Sequence, residues 1–214
     1  MNQTAAKSRF PVPAVEELPA DLRERIETLH QKMGFIPNVF LVLAHRPDEL
    51  RAFLTYHDLL MEKDEGLSKA EREMIVVATS AANNCLYCTV SHGAFLRIRS
   101  KNPALSDQIA INYREAEIGP RQRAMLDYAI KLATTPWLVD DGDHERLAAA
   151  GFGPEEIWDI GAIVSLFAMS NRMASHTGMG PNPESAASLG NGATGNAALV
   201  RDEKVAKAHD ACAD

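Results

Sequence analysis

The chain has 214 residues, 29 acidic against 22 basic side chains, a formal charge of -7, and 46% hydrophobic and 24% charged residues. This describes one soluble domain, or one domain with tails, which can bury roughly 70% of its unfolded surface and so needs neither disulfides nor a structural metal to fold. Net acidity and broken basic clusters exclude a general nucleic-acid binder. The longest apolar stretch, residues 160–169, is about half the roughly 20 residues that span a bilayer.

Residues 1–19 carry Pro11, Pro13 and Pro19 with little periodicity, and read as an extended arm lying over the domain or a neighbour. The first residues lack the apolar core and cleavage site of a secretory signal, so the expected location is cytoplasmic, with no membrane partner. From Asp21, the residues Leu22, Ile26, Leu29 and Met33 share one helical face, closed by Gly34. A short helix follows Pro37 to Ala44, and Pro47 opens another with Leu50, Phe53, Leu54, His57 and Leu60 on one stripe.

Ser68 and Glu71 form a capping box. A helix therefore starts there and runs through Ile75, Val76 and Thr79 to about Asn83. The Asn83-Asn84 pair breaks it, and Cys85 opens a further helix through Val90, Ala94 and Leu96 to about Arg99. A turn this short favours antiparallel packing of the two. Gly119-Pro120 starts a helix ending near Thr134-Thr135-Pro136, His144 to Ala150 forms a short one closed by Gly151, and Gly153-Pro154 opens a long apolar helix with Glu155 and Glu156 at its positive end. No convincing strand period is present. The fold class is all-α, with a main domain over residues 20–179 and a Gly/Ala/Asn/Ser-rich tail over residues 180–214.

Of the three cysteines, two form the pair Cys85-Leu86-Tyr87-Cys88. Helical spacing puts Cys85, Cys88 and His92 on one stripe, and cysteines three apart on a helix lie within disulfide range. Thiol redox chemistry needs a thiolate, disfavoured at a reference pKa of about 8.5. His92 can accept the Cys88 proton, whereas Cys85 gains from the free amides of the helix start, so the two considerations nominate different nucleophiles. Glu73, on the preceding helix, can reach His92 or Cys88 if that helix packs antiparallel, and relay a proton. The reading requires both sulfurs to be open to oxidant.

Other readings of the pair are weaker. Two small buried hydrophobes would be the inert alternative; zinc needs a third thiolate that only remote Cys212 offers; haem attachment needs His where Thr89 stands. His57 reads as a core or interface histidine, Glu71 as a cap, and Asn171, Arg172 and His176 as a helix-end network. Tyr87 reads first as a pocket wall and second as a proton donor.

The motif resembles the alkylhydroperoxidase D and carboxymuconolactone decarboxylase family, and most closely its peroxidase-related branch. The resemblance rests on Glu73 followed by Cys85-x-x-Cys88 and His92, on Gly34-Phe35-Ile36-Pro37-Asn38, on Leu67 to Glu73, on Asn83 to Cys88 and on Asn171-Arg172, and covers about residues 15–185. It implies a helical bundle assembled into trimers or hexamers and a thiol-dependent peroxidase without cofactor or metal. On that pattern Cys88 attacks the peroxide and becomes a sulfenic acid, Cys85 condenses with it, and a dithiol donor reduces the disulfide. His92 is then the base and Glu73 part of the relay. Tyr87 stands where well-described members carry a second histidine. The alternatives are a redox-responsive binding protein using the same disulfide without turnover, and a decarboxylase, whose members generally lack the cysteine pair.

Overall fold

The computed structural model describes residues 8–187, and no strand occurs among them. The helices are α1 (Ala20–Met33), α2 (Asn38–Leu43), α3 (Pro47–Met61), α4 (Lys69–Ala82), α5 (Leu86–Ser100), α6 (Leu105–Asn112), α7 (Pro120–Thr134), α8 (Asp141–Ala149), α9 (Pro154–Thr177) and α10 (Pro183–Ala187). Most boundaries follow local chemistry. Pro47, Pro120 and Pro154 each stand at the first helical position, where the missing N–H would have no intrahelical partner. Gly34 ends α1 at φ 80° and Asn84 turns the chain between α4 and α5 at φ 54°, conformations that Gly and Asn tolerate best.

Helix α4 is the centre of the bundle. Every residue from Glu71 to Ser80 is buried, because α5, α6, α7 and α9 all pack around it, and a helix covered on all sides has no polar face to turn outward. Met74 to Ala78 join Leu96 of α5, Ile109 of α6, Met125 and Leu126 of α7, and Ile160 and Phe167 of α9 in the main core. A second core forms from α1, α2 and α3.

The start of α4 is set by its cap. Ser68 Oγ accepts from Glu71 N–H at 3.2 Å, and Glu71 Oε2 accepts from Ser68 N–H at 3.0 Å. Arg121 of α7 pairs with the same carboxylate, so the reading of Glu71 as a cap is matched by its contacts. Ser68→Ala is expected to cost about 1 kcal/mol, read as a lower urea midpoint with an unchanged slope.

Three differences from the sequence reading have physical causes. Helix α6 was not anticipated: it is two turns long, and Leu105 and Ile109 are its only pair of deeply buried apolar residues. It is held by packing on α5, where Gly93 admits Ser106 so closely that a Cβ there would lie 2.6 Å from its Oγ. Helix α8 starts three residues before the expected His144, because Asp140 caps it and Asp143 closes a box. The change to a tail was placed at Gly180, yet packing continues through α10. Asn38 N–H donates to Asn182 Oδ1 at 2.8 Å, Asn182 Nδ2 donates to Ile36 O at 2.9 Å, and Asn38 Nδ2 donates to Gly180 O at 2.8 Å.

The described part of the N-terminal arm lies on its own domain. Arg9 N–H donates to Thr177 O at 2.7 Å, and its guanidinium donates to Ser175 O and His176 O. A cation thus satisfies the orphan carbonyls at the negative end of α9. Phe10 packs between the His45 and His176 rings. Among the described residues, no helix is long and apolar enough to cross a membrane.

Candidate active site

Cys85 is the N-cap of α5, so its side chain sits over the free amides of the first turn. The Cys88 N–H donates to Cys85 Sγ at 3.4 Å. Both thiols are free, and both are buried, Cys85 at 3% and Cys88 at 1% exposure. Val42 of α2, Ala174 of α9 and Met179 pack with them, and Tyr87 walls the cluster. The expectation of sulfurs open to oxidant is therefore corrected: the clasp that Asn38 and Asn182 form draws α2 and the segment after α9 together over the pair. Tyr87 serves that cover, accepting the Val39 N–H on its phenol oxygen at 3.0 Å; burial pushes its phenol up in pKa.

The sulfurs share one hydrogen-bonded system. Donation from the Cys88 S–H to Cys85 is the largest effect on the first thiol; burial opposes it, and the Cys88 N–H and the Asn171 amide add to it, bringing Cys85 to about 7. The same S–H donation raises Cys88, and burial raises it further, because a thiol acting as donor must keep its proton. Ser170 Oγ lies 3.9 Å from Cys88 Sγ.

Asn171 organises this end of the site, which the sequence reading missed by assigning it to a helix-end network. Its Nδ2 donates to Ser80 Oγ at 3.0 Å and its Oδ1 accepts from Asn83 Nδ2 at 3.0 Å, while the amide also interacts with both sulfurs. One buried amide thus links α4, the α4–α5 turn, α5 and α9. The signal available was its position: α9 is apolar, and a buried Asn within it needs partners. Asn171→Ala is expected to cost roughly 1–3 kcal/mol by leaving Asn83 and Ser80 unpaired. The Cys85 titration, followed by thiolate absorbance, should move upward. Arg172 instead donates to Ala168 O at the surface, and His176 lies against Phe10.

Antiparallel α4 and α5 bring Glu73 to His92, as the sequence anticipated. Nδ1 of His92 lies 2.7 Å from Glu73 Oε2, with Glu73 2% exposed, and Arg99 Nη1 lies 3.3 Å from Glu73 Oε1. Burial pushes the Glu73 carboxyl up, but His92 and Arg99, with a smaller pull from His57, outweigh it and hold it below the usual range. An ionised carboxylate accepts from Nδ1–H and leaves Nε2 for proton transfer.

The expected direct link from His92 to Cys88 is not present. No hydrogen bond among the described residues joins His92 to either sulfur. Successive turns of α5 face successive turns of α9: Cys88 meets Ser170, and the His92 ring meets Phe167 edge-on, with centroids 4.7 Å apart. One helical pitch, about 5.4 Å, separates the two levels. His57, read as a core or interface residue, lies 6.3 Å from His92 between ring centroids and within 3.5 Å of Asp58. Among the described residues, no three His, Cys, Asp or Glu side chains gather as a metal site would require, and Cys212 lies outside them.

Residues 47–131, which carry Glu73, both cysteines and His92, match the model of the carboxymuconolactone decarboxylase family. Among solved structures, a peroxidase-related protein from Ralstonia eutropha JMP134, described as an alkylhydroperoxidase core, is 59% identical with a TM-score of 0.82, over 84% of this chain and 94% of that one. The chain belongs to the alkylhydroperoxidase D and carboxymuconolactone decarboxylase family, in its peroxidase-related branch. A peroxidase-related protein from Silicibacter sp. TM1040 is 37% identical with a TM-score of 0.81, over 87% of this chain and 97% of that one. A debrominase shares the fold at 21% identity and a TM-score of 0.68, over 87% of this chain and 97% of that one. No protein with a curated description matches the chain in sequence.

Proposed function

We propose that the protein is a thiol-dependent peroxidase, reducing hydrogen peroxide or an organic hydroperoxide with Cys85 and Cys88 and a Glu73–His92 proton relay. The observation that carries this reading is the placement of the pair: two free thiols one helical turn apart, with the Cys88 N–H donating to Cys85 Sγ. A buried carboxylate–imidazole pair stands one turn beyond, and the pitch between Cys88 and His92 suits a bound peroxide or a water bridging sulfur and imidazole. The peroxidase-related names of the similar proteins support the same chemistry.

Turnover also needs a dithiol donor to reopen the disulfide. The proposal includes self-association into trimers or hexamers, supported by exposed large apolar side chains such as Trp158, Trp137, Leu59 and Met169. The test is peroxide consumption by the full chain with several dithiols. Saturable turnover that collapses in Cys88→Ala and in Cys85→Ala is expected; none above background would remove the enzyme reading.

A second reading has one observation in its favour. Both sulfurs lie beneath the clasp formed by Asn38, Gly180 and Asn182, so oxidation coupled to opening of that cover would make a redox-responsive binding protein. That reading predicts a reversible disulfide and altered proteolysis near residue 180 without sustained peroxide consumption.

A further inference from the structure

We propose that His57 is a positioning residue of the proton relay, the outer group that passes protons from solvent to His92 through one bridging water while the disulfide is being reduced. This rests on the peroxidase reading and assigns the route by which its sealed thiols regain their protons.

His57 stands on the apolar stripe of α3 with Leu50, Phe53 and Leu54, where packing alone asks for no titratable ring. Because α3 packs on α9, the ring is turned inward, with its centroid 6.3 Å from that of Phe167 and 6.3 Å from that of His92. The gap between the two imidazoles is too long for a direct hydrogen bond. It suits one water, which spans it with two hydrogen bonds of about 2.8 Å each. Phe53 lies 6.1 Å from His57, and Phe95 6.1 Å from His92, so these phenylalanine rings offer the passing proton no competing acceptor.

Two carboxylate–imidazole pairs thus stand in series. In the inner pair Glu73 Oε2 lies 2.7 Å from His92 Nδ1, and in the outer pair Asp58 Oδ1 lies 3.5 Å from His57 Nδ1. Each carboxylate is backed by an arginine: Arg99 stands 3.3 Å from Glu73, and Arg25 lies 2.9 and 2.8 Å from the two Asp58 oxygens. Side-chain exposure rises along the series, from 2% at Glu73 through 14% at His92 and 25% at His57 to 41% at Asp58. Burial pushes the Asp58 carboxyl up, but His57 and Arg25 outweigh it, so an ionised group is in place to orient the outer ring.

The need for such a route follows from the proton balance. In the oxidative half, two thiols and one hydroperoxide give a disulfide, an alcohol and water, and the two thiol protons leave on the two oxygens. In the reductive half, one sulfur of an external dithiol attacks as a thiolate, forms a mixed disulfide and releases one cysteine thiolate. The second donor sulfur, also ionised, closes the donor disulfide and releases the other. Two electrons have entered the site, but both donor protons have stayed in the water. The cysteines are almost fully buried, so two protons must cross the protein. The His57 imidazolium gives a proton to the bridging water as that water gives one to His92 Nε2. His92 carries it on across the one-turn gap to Cys88, His57 takes another from solvent, and a second proton follows to the remaining sulfur.

The test uses the full chain and follows the two half-reactions separately. The disulfide is formed with diamide, reduction by dithiothreitol is sampled by acid quench and alkylation, and first-turnover oxidation by cumene hydroperoxide is measured on the reduced protein. In His57→Gln, reduction should slow on the order of 10-fold, less than for a group acting on the reacting atoms themselves, while oxidation changes much less. Imidazole added to His57→Ala should restore part of the reduction rate. Asp58→Asn, which leaves His57 in place, should slow reduction in the same direction and carries the test if the His57 variants fail to fold. Equal slowing of both half-reactions, an unchanged reduction rate, or a His57→Ala rate that imidazole leaves untouched would overturn the assignment and leave the peroxidase reading intact. A disulfide that forms with diamide but with no peroxide, and whose reduction still depends on His57, would overturn the peroxidase reading alone. Absence of any disulfide in the wild type under both oxidants would overturn both.

Discussion

Glu73→Gln is expected to lower peroxide turnover on the order of 100-fold, the usual weight of a positioned proton-transfer group. Gln has the shape of Glu but no charge. It keeps one contact to His92 Nδ1, now through a neutral acceptor that no longer stabilises the imidazolium formed when His92 takes a proton. Arg99 loses the partner at 3.3 Å and retains Glu62 at 2.7 Å. A pH signature accompanies the loss. The folded Glu73 carboxyl titrates below its ordinary value, so ionisation favours the folded state. That stabilisation is fully present above the unfolded pKa of about 4.3 and disappears as pH falls through the lower folded value. Urea midpoints from pH 7 to pH 3 should show a shallower acid decline in Glu73→Gln than in the wild type. An equal decline in both, with unchanged turnover, would place Glu73 outside the relay.

The largest loss of stability is expected at Arg72, which lies outside the proposed proton relay. Its side chain is fully buried and its donors are all directed. Nε donates to Leu67 O at 3.1 Å, Nη1 to Leu60 O at 2.7 Å, Nη2 to Glu65 O at 2.8 Å, and both terminal nitrogens to Asp159 Oδ2 at 3.1 Å. One planar guanidinium therefore ties the α3–α4 connection to α9, at the foot of the helix that carries Glu73. Arg72→Met removes the charge but keeps much of the volume, leaving Asp159 with Lys63 at 3.3 Å and three carbonyls without this donor. The expected cost is about 3–5 kcal/mol, measured by urea unfolding. Adding Asp159→Leu should recover part of it, because the uncompensated buried carboxylate is then gone. A cost below about 1 kcal/mol in the single variant would show that water reaches the site and replaces the donor.

Much of the fold was legible because its signals are local. Pro47, Pro120 and Pro154 at first helical positions, Gly34 past the end of α1, and Ser68 with Glu71 at the start of α4 each act within one turn of the boundary they set. The meeting of Glu73 and His92 was legible for a related reason: a turn of two asparagines between two long helices leaves few ways to pack other than side by side. Helix α6 was not, since two turns with few apolar residues derive their stability from Gly93 and Ser106 approaching across the α5–α6 contact.

The amino-acid sequence by itself determined the helical class, the family and the four candidate site residues, because spacing along one or two helices is enough to bring Cys85, Cys88, His92 and Glu73 into one neighbourhood. Only the tertiary structure decided which groups surround them. The burial of both sulfurs, the placement of Asn171 against them, the nearness of His57 to His92 and the Asn38–Asn182 clasp all join residues far apart in the chain. Such contacts depend on how whole helices are stacked, and no periodicity within a single segment encodes that stacking.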